Sequence, residues 1–339
     1  MPAAASASAP RWLTVPRANG RLLPAQIGLV VNGLDPYSVQ VGEYYARRRG
    51  LAPQQVLRVE LPLRGTLSVE EFTALRERIA RHFGRSTQAL ALAWVAPYAV
   101  QCNSITGALA LGYDGELCQH SCSPSRSSPY FGHPTGRPFT ELGLRPSMLL
   151  AAGSVEQARA LIDRGIAADG SLRVRARPPA SALFLATDDA ARRVRMRLYP
   201  PAGLLRGVGV DVQVAPAAAL ADAHHVLLAI TGSARLDLPP AVDWLPGALA
   251  DHLTSTGGVL GGETGQSTAL EWIASGATAS YGTVSEPCNH LQKFPHPQLL
   301  LLNYLQGSTA IEAYWKSVAW PQQGLFIGEP LAAPFAPPR

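Results

Sequence analysis

The stretch Ile27–Gly50, IGLVVNGLDPYSVQVGEYYARRRG, decides the fold class. Ile27–Val31 is a short apolar run closed by Asn32-Gly33, the pattern of a strand. Asp35-Pro36 follows, an N-cap residue with proline at the first helical position, so a helix starts there. It runs to Arg49, where Gly50 stops it. Val56–Leu61 (VLRVEL) alternates as a second strand. Ser68-Val-Glu-Glu71 is a capping box that opens a helix to about Phe83, and Ala89–Val95 (ALALAWV) is a third strand. The order β-α-β-α-β predicts a parallel sheet with helices on both faces.

Outward from this unit the pattern first breaks and then resumes. From Pro97 to about Arg145 the chain is rich in Gly, Ser and Pro and carries three cysteines. It reads as a loop-rich insertion over the sheet, residues 97–146 at its widest. Strands are expected at Met148–Ala152, Ala182–Ala186, Val208–Val214, Val226–Ile230, the short Gly258–Leu260, and Thr278–Val284 within GATASYGTVSEPC (Gly276–Cys288). Helices are expected at Val155–Ala167, Ser267–Ala274, Leu299–Leu305 and Ala310–Val318, the last opened by Thr309-x-x-Glu312. Asp188 should cap a helix that carries Arg192–Arg197 (RRVRMR) as a solvated face. Leu325–Ile327 reads as a final edge strand, and the aromatic tail from Tyr314 folds back onto the body. The whole predicts an α/β three-layer domain over residues 25–336 with a mostly parallel sheet, a disordered lead at 1–24 and a short tail at 337–339.

Bulk composition bounds the function. The 339 residues are 47% apolar, enough for a sizeable core, and only 16% charged. Of the 29 basic residues all but Lys293 and Lys316 are Arg, and the net charge of +5 is spread along the chain. No aromatic and basic interleaving marks a nucleic-acid groove. No apolar run approaches the ~20 residues of a membrane-spanning helix. No signal peptide is visible in MPAAASASAPRWLTVPR, residues 1–17.

Chemistry in a parallel sheet collects beyond the carboxyl ends of the strands. That rule selects Asn32–Asp35, Pro97–Cys102, Thr231–Arg235, Gly261–Gln266 and Thr283–His290. It sets the loop Asp251–Ser255 at the opposite end, ahead of Gly258–Leu260. The last of the selected loops is the richest: Glu286, Cys288 and His290 lie within five residues. An imidazolium lowers a thiol pKa, so Cys288 with His290, or with His225 or His252 from another loop, is a candidate nucleophile and base. The plain alternative is a structural cysteine beside a surface histidine. Candidate binding residues are Asn32, Asp35, Thr231, Asp251, Glu263, Gln266, Tyr281, Glu286 and Lys293. Cys102, Cys118 and Cys122 admit a disulfide between two of them, free thiols, or a zinc site completed by His120 or His133. The glycines of Gly257–Gly265 fit tight turns, since neither a phosphate loop nor a dinucleotide fingerprint is present, and no cofactor is expected.

Several longer blocks carry a resemblance. ALALGYDGELC (108–118) with Pro129-Tyr130-Phe131, ADHLTSTGGVL (250–260), GQSTALEWIASGATASYGTVSEPC (265–288), KFPHP (293–297) and EAYWKSVAWPQQGLFIGEPLAAPF (312–335) resemble an uncharacterised bacterial family found in species that carry exosortase. The resemblance covers about residues 25–336. It implies an exported, envelope or periplasmic setting and an envelope protein or peptide as partner, and it brings no activity. The chain also resembles, more weakly, the caspase-like cysteine peptidases of the gingipain type. There a His follows one buried strand and a Cys the next. Here Thr231-Gly232 follows Val226–Ile230, and Gly261-Gly262-Glu263 follows Gly258–Leu260, so both dyad positions are empty. Three readings result: a binding protein of caspase-like fold without catalysis, a cysteine hydrolase relocated to Cys288, or an interaction protein acting through the insertion.

Overall fold

The helix starts and stops lie where side-chain chemistry puts them. In the computed structural model, which describes residues 11–262 and 264–337, Asp35 Oδ1 accepts from the Tyr37 amide at 2.9 Å to open α1 (Pro36–Arg49). Gly50 closes α1 at φ 65°, a left-handed backbone that costs an L side chain. Ser68 Oγ accepts from the Glu71 amide at 3.2 Å to open α2 (Val69–His82). The remaining helices are α3 (Ile105–Leu111), α4 (Glu116–Gln119), α5 (Pro138–Leu142), α6 (Val155–Ala168), α7 (Ala269–Ser275), α8 (Pro297–Leu305) and α9 (Ala310–Trp315).

In chain order the strands are β1 (Ile27–Asn32), β2 (Val56–Val59), β3 (Thr66–Leu67), β4 (Ala89–Leu92), β5 (Ala99–Val100), β6 (Asn103–Ser104), β7 (Ser147–Leu149), β8 (Ala180–Ala186), β9 (Gly203–Leu205), β10 (Val210–Pro216), β11 (Val226–Gly232), β12 (Trp244–Leu253), β13 (Ala279–Thr283) and β14 (Gly324–Gly328). Eleven form one sheet in the order β2-β1-β4-β7-β14-β13-β12-β11-β8-β10-β9, and β3, β5 and β6 form a small second sheet. Every residue of β1, β4, β11, β13 and β14 is buried. Successive side chains of a strand point to opposite faces, so full burial means cover on both. The α/β architecture with a mostly parallel sheet is as expected.

The sheet has an internal reversal that local patterns do not carry. β14 pairs parallel with β7 but antiparallel with β13. Strands β1, β2, β4, β7 and β14 therefore run one way, and β8 and β10–β13 the other. The sheet has two carboxyl rims on opposite sides. β14 is central and wholly buried, which corrects its reading as an edge strand.

Three further expectations change. Gly258–Leu260 is not a strand; its place in the sheet is taken by β12, which ends in Asp251-His252-Leu253. Those residues thus lie on a strand at its carboxyl end, not in a loop at the opposite one. Arg192–Arg197 is a solvated face only in part, with Arg193 and Arg197 exposed. It is a 3-10 segment, Arg193–Leu198, with Arg195 buried. Finally, residues 11–24 of the expected lead lie along the body. The Leu13 amide donates to Gln298 Oε1 at 2.8 Å and the Leu22 amide to Glu312 Oε2 at 3.2 Å.

Candidate functional site

The carboxyl rim of β8 and β11–β13 holds most of the polar chemistry. Thr187, just past β8, begins a turn in which Asp189 Oδ1 accepts from the Ala191 and Arg192 amides at 3.1 and 3.2 Å. The turn aims the next segment back onto the sheet. Arg195 then reaches the end of β12, where its Nη1 lies 2.5 Å from Asp251 Oδ1, and its Nη2 donates to the Thr231 carbonyl. Both side chains are 1% exposed, so each charge depends on the other. Burial raises the Asp251 carboxyl and the Arg195 guanidinium opposes it. Gln266 Oε1 accepts from Thr254 Oγ1 at 2.7 Å and from the Thr256 amide at 3.0 Å, bracing the turn after β12.

His252, the next residue on β12, is fixed in one neutral form. Its Nδ1 accepts from Trp272 Nε1 at 3.0 Å, so that nitrogen carries no proton. Its Nε2 must carry one, and donates to the Ser267 carbonyl at 3.1 Å. Burial pushes its pKa down to about 4. With both nitrogens engaged, His252 has no lone pair left to take a proton from a nucleophile.

Cys288 is bonded to Cys122, and Cys102 to Cys118. The Cys102–Cys118 bridge is the disulfide that the clustered trio allows, and the other extends the framework to Cys288. No cysteine is free. In this bonded state the Cys288 sulfur is no thiolate, and the zinc reading of Cys118 and Cys122 has lost its sulfurs. Glu286 Oε1 accepts from the Cys288 amide at 2.7 Å, and the His290 ring lies 5.8 Å from that of Trp320. Lys293 is buried, and its Nζ donates to the Ser121 carbonyl at 2.6 Å. Burial lowers its pKa to about 8, with Glu286 opposing. Tyr281 is buried beneath, its hydroxyl donating to the Lys293 carbonyl.

The structure therefore groups Thr231, Asp251, His252 and Gln266 at the ends of β11 and β12. It groups Glu286, Cys288 and Lys293 beyond β13. Asn32 ends β1 and Asp35 follows it, and both lie on the other rim. Both have local structural duties: Asn32 Nδ2 donates to the Leu61 carbonyl at 3.0 Å, and Asp35 caps α1. Glu263 lies outside the described residues.

A pocket of about 250 Å³ lies between the segments that follow β8 and β13. Phe131 of the insertion, Leu198, Leu291 and Phe294 give it apolar walls, with Arg197 and His296 among its polar lining. His296 Nδ1 is buried and makes no hydrogen bond among the described residues. None of the residues that line this pocket was selected by the carboxyl-end rule. The sequence signal was KFPHP, where a lysine and a phenylalanine precede a histidine set between two prolines.

Neither a protein-family model nor a curated protein matches the chain. Among solved structures it is similar to the crystal structure of the Arg-specific cysteine proteinase gingipain R, with 11% identity and a TM-score of 0.46, over 91% of this chain and 78% of that one. It is also similar to a complex of Porphyromonas gingivalis RgpB pro- and mature domains, with 11% identity and a TM-score of 0.38, over 93% and 79% of the two chains. At such values no residue role is carried across.

Proposed function

We propose that the chain is a binding module of the bacterial envelope on a caspase-like frame, non-catalytic in its oxidised form. It takes a peptide or surface component at the carboxyl rim of β8 and β11–β13. One observation carries the reading: Cys288, the one candidate nucleophile, is tied to Cys122. The neutral state of His252, hydrogen-bonded at both ring nitrogens, supports it by removing one of the candidate bases. Two disulfides with exposed partners, Cys118 and Cys122, suit an oxidising compartment, in keeping with the family resemblance. The caspase-like frame and the envelope setting rest on that sequence resemblance.

The test is a thiol titration of the denatured, unreduced protein, followed by a peptidase assay with and without a reductant. The expected result is no titratable thiol and no hydrolysis under either condition. Hydrolysis that appears on reduction, persists in Cys122→Ser and vanishes in Cys288→Ser would establish the cysteine hydrolase instead.

A further inference from the structure

We propose that the pocket between the segments after β8 and β13 recognises an apolar side chain next to a free carboxylate, as found at a peptide C terminus. The inference rests on the binding reading above and names its ligand class. The walls of Phe131, Leu198, Leu291 and Phe294 offer an apolar lining, and about 250 Å³ is room for one aromatic or branched side chain. The charge at its edge is positive. Arg197 is exposed and makes no ion pair among the described residues. A single guanidinium matches the single charge and planar, two-oxygen geometry of a carboxylate. A phosphate would leave a second charge unmatched. His296, whose buried Nδ1 has no hydrogen-bond partner among the described residues, also lines the pocket.

The pocket is also held in shape. Arg197 and Leu198 sit two and three residues beyond Arg195, which is anchored on Asp251. The Leu198 carbonyl accepts from Gln298 Nε2 at 3.4 Å. On the other wall the His296 amide donates to the Ser317 carbonyl at 2.8 Å, and the Trp320 amide to the Gln292 carbonyl at 2.8 Å. A preformed site loses little entropy on binding, which a small ligand needs.

Calorimetry on the intact oxidised chain, with N-acetyl-L-phenylalanine and N-acetyl-L-phenylalaninamide as probes, tests the assignment. The acid should bind about tenfold more tightly than the amide, the size of one charge-assisted bond. Arg197→Ala should abolish that preference, and Arg197→Glu should reverse it. Both variants should unfold at the wild-type temperature, because the side chain is exposed. Ala319→Leu, which intrudes on the pocket, should weaken both probes. Equal binding of acid and amide to the wild type, or binding of neither, overturns the proposal. So does a preference that survives Arg197→Ala. Those failures leave the thiol titration untouched, so they are separable from failure of the non-catalytic reading.

Discussion

At the residue scale the Arg195–Asp251 pair governs the rim. Removing one partner leaves an uncompensated charge in the core, which costs about 3–5 kcal/mol. Arg195→Met and Asp251→Leu should each lose that much in urea unfolding, and the double variant should recover most of it. His252 makes a pH prediction. Its pKa falls from 6.5 to about 4 on folding, so between those values the unfolded chain binds the extra proton. Stability therefore drops as pH falls from 6.5 to 4, by about 3 kcal/mol from this group, and is unaffected by it above 6.5. His252→Gln should flatten the stability profile over that window relative to wild type. An unchanged slope would mean that the imidazole is not held neutral.

At the element scale β13 passes tightly against the turn after β12. A Cβ on Gly282 would meet the Gly257 carbonyl carbon and the Gly258 nitrogen well inside van der Waals contact. Both are backbone and cannot turn aside. Gly282→Ala should cost about 3 kcal/mol in the same unfolding assay. Elements with local signatures were legible in the sequence: β1 and α1 through Asp35, Pro36 and Gly50, α2 through its capping box, and α9 through Thr309 and Glu312. β12 was not. Pro246 and Gly247 interrupt its pattern, and Asp251 and His252 look like loop residues until Arg195 and Trp272 arrive from elsewhere to satisfy them. The partner of Cys288 lies 166 residues away, a distance no local pattern spans. The pocket was hidden for a related reason, since Phe131, Leu198 and Phe294 meet only in the folded chain.

At the scale of the whole molecule the Cys122–Cys288 bridge fastens the insertion to the rim. Closing a loop of 166 residues restricts the unfolded chain by on the order of 5 kcal/mol. It also holds Ser121 in place, and with it the carbonyl that covers Lys293. The chain has only two lysines, both buried. An amine-acylating reagent should thus leave both untouched in the oxidised protein. Cys122→Ser should make Lys293 at least several-fold more reactive by mass spectrometry while Lys316, held by Glu312 and Ser308, stays silent. Equal rates at Lys293 in both forms would show that the bridge does not guard it.

The central position of β14 sets an order of assembly. This strand is synthesised after every other, yet it lies between β7 and β13 and is the one join between two oppositely running blocks. A nascent chain can pair β1, β2, β4 and β7, and separately β8 and β10–β13, but it cannot close them into one sheet before Gly324–Gly328 leaves the ribosome. Until then two half-sheets expose raw edges, and a holding chaperone or a translocation channel would receive the chain in an unfinished state.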